Sequence, residues 1–61
     1  MNPPDPHLLD LRLSFMRAAD RCFLIASRVG RESAEYTAAS MERDAKRAEW
    51  LEYKRRLEAE A

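Results

Sequence analysis

A single glycine interrupts this chain, at Gly30, and its three prolines all fall within the first six residues. Between and beyond them nothing breaks a helix, which leaves two long uninterrupted segments and little room for β-turns or hairpin strands. There is one cysteine, Cys22, so no internal disulfide can form. One histidine and one cysteine fall short of the four ligands a structural zinc site needs. No apolar run approaches the roughly 18 residues of a membrane span. The opening Asn2-Pro3-Pro4-Asp5-Pro6 carries no basic segment of the signal-peptide kind. These absences lead to the expectation of a soluble, cytoplasmic protein without a membrane partner.

Excess charge of either sign is also missing. Eleven basic residues balance eleven acidic ones, which argues against duplex DNA as a partner. With 61 residues there is at most one domain. A chain of this size buries only about 60% of the surface it exposes when unfolded, so the lone monomer should be marginal. Disulfides and metal being excluded, oligomerisation is the remaining route to stability.

What is present is helical. Ala, Leu, Arg and Glu, all good helix formers, dominate. Asp5 and Pro6 read as N-cap and first helical residue. The first helix is expected over about 6–29, ending where Gly30 can take the left-handed conformation. A turn follows over about 30–33. Ser33 then reads as the N-cap of a second helix over about 34–60, with Glu35 in its first turn. Glu58 and Glu60 stand at the unfavourable end of that helix's dipole, and fraying is expected there. The fold class is all-α: an antiparallel two-helix hairpin, expected to dimerise into a four-helix bundle.

Helix 1 has a heptad register, with Leu8, Phe15, Cys22 and Val29 at intervals of seven and Leu11, Ala18 and Ile25 offset by three. On helix 2 a small-residue face formed by Ala34, Ala38, Met41, Ala45 and Ala48 is taken as the answering seam. That pairing sets Val29 by Ala34, Ile25 by Ala38, Cys22 by Met41 and Phe15 by Ala48. Helix 1 keeps more apolar surface than one partner can cover. Leu9, Met16 and Phe23 make a second seven-spaced stripe, widened by Leu13 and Leu24. We therefore expect Leu9, Leu13, Met16 and Phe23 to form a homodimer interface.

With the alanine face of helix 2 as zero, about 100° per residue puts Trp50 roughly 160° away, Leu57 roughly 140°, Tyr53 roughly 100° and Tyr36 roughly 200°. Arg43 and Lys46 fall in the same sector. On this reading core is the least expected place for Trp50. Tyr36, Arg43, Lys46, Trp50, Tyr53 and Leu57 become a candidate partner-binding stripe, since Trp, Tyr and Arg often carry interface energy. Such a stripe also suits RNA, where aromatics stack on bases. Against RNA, residues 43–56 hold six basic side chains and three acidic ones (Asp44, Glu49, Glu52), a modest excess. Solvated surface aromatics shielded by Lys and Arg stems are the plain alternative.

No constellation for catalysis, cofactor binding, metal binding or a small-molecule substrate is evident. Cys22 falls at a core position, and His7 beside Asp10 reads as a surface residue. Glu42–Lys46 and Glu52–Arg56 are i,i+4 pairs that should support helix 2. The chain reads as non-enzymatic.

With Gly30 at the turn, the seam of large residues on helix 1 against small ones on helix 2, and the aromatic stripe with Trp50 in helix 2, the chain resembles small dimeric helical-hairpin regulators. One group is the Rop-type plasmid copy-number regulators, which bind paired RNA loops. Another is the phage-encoded anti-activators, which block a host protein by contact. The resemblance is architectural and carries no residue-level motif. In Rop-type dimers the first helices form the RNA face; here Arg17, Arg21 and Arg28 share helix 1 with Asp10 and Asp20, which weighs against RNA. A regulator that binds and inhibits another protein is the preferred expectation, with an RNA-binding regulator or an assembly subunit as alternatives.

Overall fold

The computed structural model describes residues 5–60. The short lead over residues 1–4 expected from the prolines lies outside them. Two α-helices make up the fold, α1 at Pro6–Val29 and α2 at Ala34–Glu60, packed as an antiparallel hairpin.

Each helix end is set by chemistry close by in the chain. Asp5 has extended backbone geometry, φ −74° and ψ 118°, and its carboxylate accepts from the N–H groups of His7 (2.9 Å) and Leu8 (3.1 Å). Two of the four N–H groups a helix start leaves unpaired are thereby satisfied. Pro6 follows at the first helical position, where its missing N–H costs nothing. At the other end the Gly30 N–H donates to the Ala26 carbonyl at 3.1 Å. Gly30 has φ 88° with ψ 163°, so the expected left-handed helical cap is not what forms. The φ is positive, but the extended ψ throws the chain outward, in a region open essentially to glycine alone. Ser33 caps α2: its Oγ accepts from the Tyr36 N–H at 3.1 Å and donates to the Gly30 carbonyl at 2.9 Å. One hydroxyl thus joins both helix ends. Glu35 lies in the first turn of α2, and the helix runs on to Glu60 despite its terminal acids.

The hairpin is long and thin. Its extents are 45 × 17 × 11 Å and its radius of gyration is 14.2 Å, against about 10.5 Å for a compact chain of this length. Its accessible surface is 5154 Å² at 7.1 kDa, where a globular monomer of that mass exposes about 4,100 Å². Only Ala18, Cys22 and Ala39 are fully buried among the described residues, at 6%, 2% and 5% exposure. All three are small, so the helix backbones come close where they meet. The rest of the seam is half-buried, as a two-helix interface without a third layer must be.

Candidate protein-interaction surface

The half-buried positions of α1 are Leu8, Leu11, Ser14, Phe15, Ala19, Ile25 and Ala26, flanking buried Ala18 and Cys22. The helix 1 heptad is therefore the seam, except that Val29, at its last turn, stays exposed.

On α2 the seam is not the alanine face. Ala34, Ala38, Met41, Ala45 and Ala48 are all exposed, Met41 at 69%. The side turned to α1 carries Tyr36, Ala39, Arg43, Lys46, Trp50, Tyr53 and Leu57, with Ala39 buried and the others half-buried. Phe15 stacks on Trp50, ring centroids 5.7 Å apart and planes 15° from parallel, and does not face Ala48. Lys54 Nζ lies 5.9 Å from the Trp50 ring centroid. Cys22 faces Arg43, whose Nη1 donates to its sulfur at 3.5 Å, and not Met41. The six residues expected to form an outward partner-binding stripe are thus the inner face of the hairpin.

The physical reason is area. An aromatic side chain removes about 150–250 Å² from water when buried, far more than the single methyl group of an alanine. The hairpin turns Tyr36, Trp50, Tyr53 and Leu57 inward and leaves the alanines to solvent, where they cost little. Arg43 and Lys46 can share the inner face because their stems are apolar and their heads reach out. The Arg43 head finds Asp44 at 3.1 Å and Ser40 at 3.0 Å. The Asp44 carboxylate, accepting that hydrogen bond, holds the guanidinium above its usual pKa. The sequence carries a pattern on this face, though the alanine face (Ala34, Met41 and Ala48, with Ala38 and Ala45) keeps the same seven-residue spacing and the pattern alone does not choose between them. Tyr36, Arg43, Trp50 and Leu57 recur every seven residues, with Ala39, Lys46 and Tyr53 offset by three, the same heptad as helix 1.

A clasp closes the open end of the hairpin. The Tyr53 hydroxyl donates to the second Asp5 carboxylate oxygen at 3.0 Å. The His7 ring meets Tyr53 edge-on, centroids 4.7 Å apart at 84°, so His7 packs against the partner helix and is more than a surface residue. Donation from the Leu8 N–H above all, then from Tyr53 and the His7 N–H, keeps the Asp5 pKa below the usual carboxylate value, while partial desolvation opposes them. The same Tyr53–Asp5 bond raises the phenol's pKa. Across the middle, Arg21 pairs with Glu42 at 3.2 Å, so Glu42 reaches over the hairpin to α1 and not along α2 to Lys46. Glu52–Arg56 forms as an i,i+4 pair at 2.9 Å.

Two open clefts flank the seam. One, of about 300 Å³, lies by the clasp between His7, Tyr53 and Arg56. The other, of about 160 Å³, lies near the turn, floored by Cys22 and walled by Phe23, Tyr36 and Arg43. Neither sets a nucleophile beside a base. Among the described residues no three His, Cys, Asp or Glu side chains gather where a metal could sit. Among them, too, no helix is long and apolar enough to cross a membrane.

Apart from Met41 on α2, the exposed large apolar side chains among the described residues belong to α1. Leu9, Leu13, Met16, Phe23 and Leu24 are between 43% and 71% exposed, Phe23 the most. With Cys22 as zero, about 100° per residue places Phe23 near 100°, Met16 near 120°, Leu9 near 140°, Leu13 near 180° and Leu24 near 200°. They form one continuous ridge along the length of the helix, turned about 120° from the seam. The four residues expected to form the dimer interface, Leu9, Leu13, Met16 and Phe23, all stand on it. No protein-family model, curated protein or solved structure matches the chain.

Proposed function

We propose that this chain is a non-enzymatic binding protein, a cytoplasmic homodimer of helical hairpins that regulates another protein by occupying it. The observation that carries the reading is the apolar ridge of α1, whose large side chains stand 43–71% exposed. A surface excess of about 1,000 Å² over a globular monomer compares with about 800 Å² that each partner contributes to a standard stable interface. An enzyme needs groups held at reacting distance inside a shielded site. This hairpin instead offers shallow open clefts and long helical faces, which suit recognition of another protein.

In the dimer the ridge is used for self-association, and the outer face of α2 is left to present. Met41 stands there among Ala34, Ala38, Ala45 and Ala48, a low, smooth strip that lets a partner helix approach closely. The inhibitory, phage- or plasmid-type role comes into this proposal through architectural resemblance to small hairpin regulators. Sedimentation equilibrium should give a dimer at micromolar concentration; a folded monomer there overturns the dimer. Affinity capture with the wild type and with Met41→Glu tests the regulatory role. A partner retained by the wild type and lost by the variant supports it. Equal retention by both removes the α2 face, and no specific partner at all removes the regulator.

A further inference from the structure

No acidic side chain lines the cleft near the turn, although Arg31 and Arg43 both do. Its floor is low, made by Ala19, Cys22 and Ala26, with Phe23 and Tyr36 at its sides. At about 100° per residue, Ala19 and Ala26 lie some 40–60° from Cys22 on α1. Arg43 lies about 40° from Ala39 on the same side of α2. Arg21 and Glu42 stand on the opposite edge of the hairpin, near −100° and −60°. There a basic residue of α1 meets an acid of α2 at 3.2 Å. On the cleft edge the α1 residues beside Arg43 are alanines, so the cation is present and its cross-hairpin acid is missing.

The Arg43 head is already fixed in place. Its Nε donates to Asp44 at 3.1 Å and its Nη2 to Ser40 at 3.0 Å. Asp44 offsets part of the charge from outside the cleft. Nη1 donates only to the Cys22 sulfur, at 3.5 Å, and a thiol sulfur is a weak acceptor. A carboxylate at that point would make a charge-assisted bond roughly twice as strong as a neutral one, on a guanidinium that needs no further ordering. Arg31, exposed at the turn, makes no ion pair among the described residues, so its charge is open to the same anion.

We propose that this cleft recognises one carboxylate side chain, a glutamate or aspartate presented by another protein. Size argues against a free metabolite. The cleft holds about 160 Å³, whereas small-molecule pockets run from roughly 300 to 1,000 Å³. A short apolar stem fits between Phe23 and the alanine floor, and its carboxylate reaches Arg43 Nη1 and Arg31. In a dimer built on the ridge the cleft stays open, since it lies about 100° round α1 from the ridge's middle. It is also apart from the α2 face that bears Met41. That the carboxylate belongs to a protein rests on the binding-protein reading above; the site itself does not.

A nuclear magnetic resonance titration of the full chain tests the site, with N-acetylglutamate amide as probe and N-acetylglutamine amide as its uncharged counterpart. The first should shift the Arg43 Nε–H signal and the backbone amides of Phe23 and Tyr36 saturably. The second should bind at least about tenfold more weakly. Arg31→Ala, in the turn and outside both helices, should weaken the first probe about fivefold. Arg43→Lys keeps the charge but loses the fork that sets Nη1 over Cys22, and should weaken it at least as much. Helicity by circular dichroism confirms that each variant folds.

No saturable response, equal binding of the two probes, or unchanged affinity in both variants overturns the site. Shifts centred on Lys54 and Arg55 in place of the cleft do the same. Those results leave the α2 face as it stands. A cleft that binds the probe in a chain that captures no protein overturns the protein source and not the site.

Discussion

Replacing Trp50 by alanine separates the two roles open to α2's aromatic face. In the hairpin Trp50 is half-buried, stacked on Phe15 at 5.7 Å and approached by Lys54. A fully buried Trp→Ala change costs about 3–5 kcal/mol. Half-burial reduces this to roughly 2 kcal/mol, because part of the ring is already in water and leaves no cavity. The lost aromatic pair adds about 0.5–1.5 kcal/mol. Trp50→Ala should therefore destabilise the hairpin by roughly 2.5–3.5 kcal/mol, a fall in Tm of about 10–28 °C for a chain this small. Circular dichroism at 222 nm follows the loss of helix. Protein concentration must be held fixed, since any dimer links stability to it. Phe15→Leu combined with Trp50→Leu in a double-mutant cycle should show a coupling of about 0.5–1.5 kcal/mol. A surface tryptophan would behave differently: replacement would change stability by no more than about 0.5 kcal/mol, with no coupling to Phe15. That result would refute the stacked seam and return Trp50 to the solvent.

Gly30→Ala should cost about 1–3 kcal/mol in thermal unfolding, because of its positive φ alone; a Cβ there meets nothing within 4 Å. Acid should weaken the clasp. Asp5 binds its proton less readily folded than unfolded, so its contribution is present above the ordinary carboxylate pKa of 3.8 and is lost as pH falls through the lowered native value. Asp5→Asn should flatten that step in a stability–pH titration. In alkali the Tyr53 contribution is present below the ordinary phenol pKa of 10.0 and is lost as pH rises through the raised native value; Tyr53→Phe should remove that step. Arg21→Ala, at an exposed pair, should change stability by less than about 1 kcal/mol.

The two helices, the N-caps at Asp5 and Ser33, the stop at Gly30 and the seam of helix 1 up to Ile25 were determined by the sequence alone, whereas the extended ψ of Gly30 and the exposure of Val29 were not. Asp5, Pro6, Gly30 and Ser33 act on groups within a few residues of themselves, so the chain's order is enough to read them. The heptad of helix 1 stands out because its large apolar residues are concentrated on adjacent faces. The ridge of Leu9, Leu13, Met16 and Phe23 was legible for the same reason, being the apolar surplus left over once the seam is assigned. Only the tertiary structure decided which face of helix 2 turns inward. Two faces competed there, one of small residues that would let backbones approach and one of aromatics interspersed with Arg43 and Lys46. Neither local propensity nor charge counting ranks them. The choice rests on how much area each removes from water against helix 1. Trp50 on Phe15, and Tyr53 on His7 and Asp5, together outweigh a row of methyl groups.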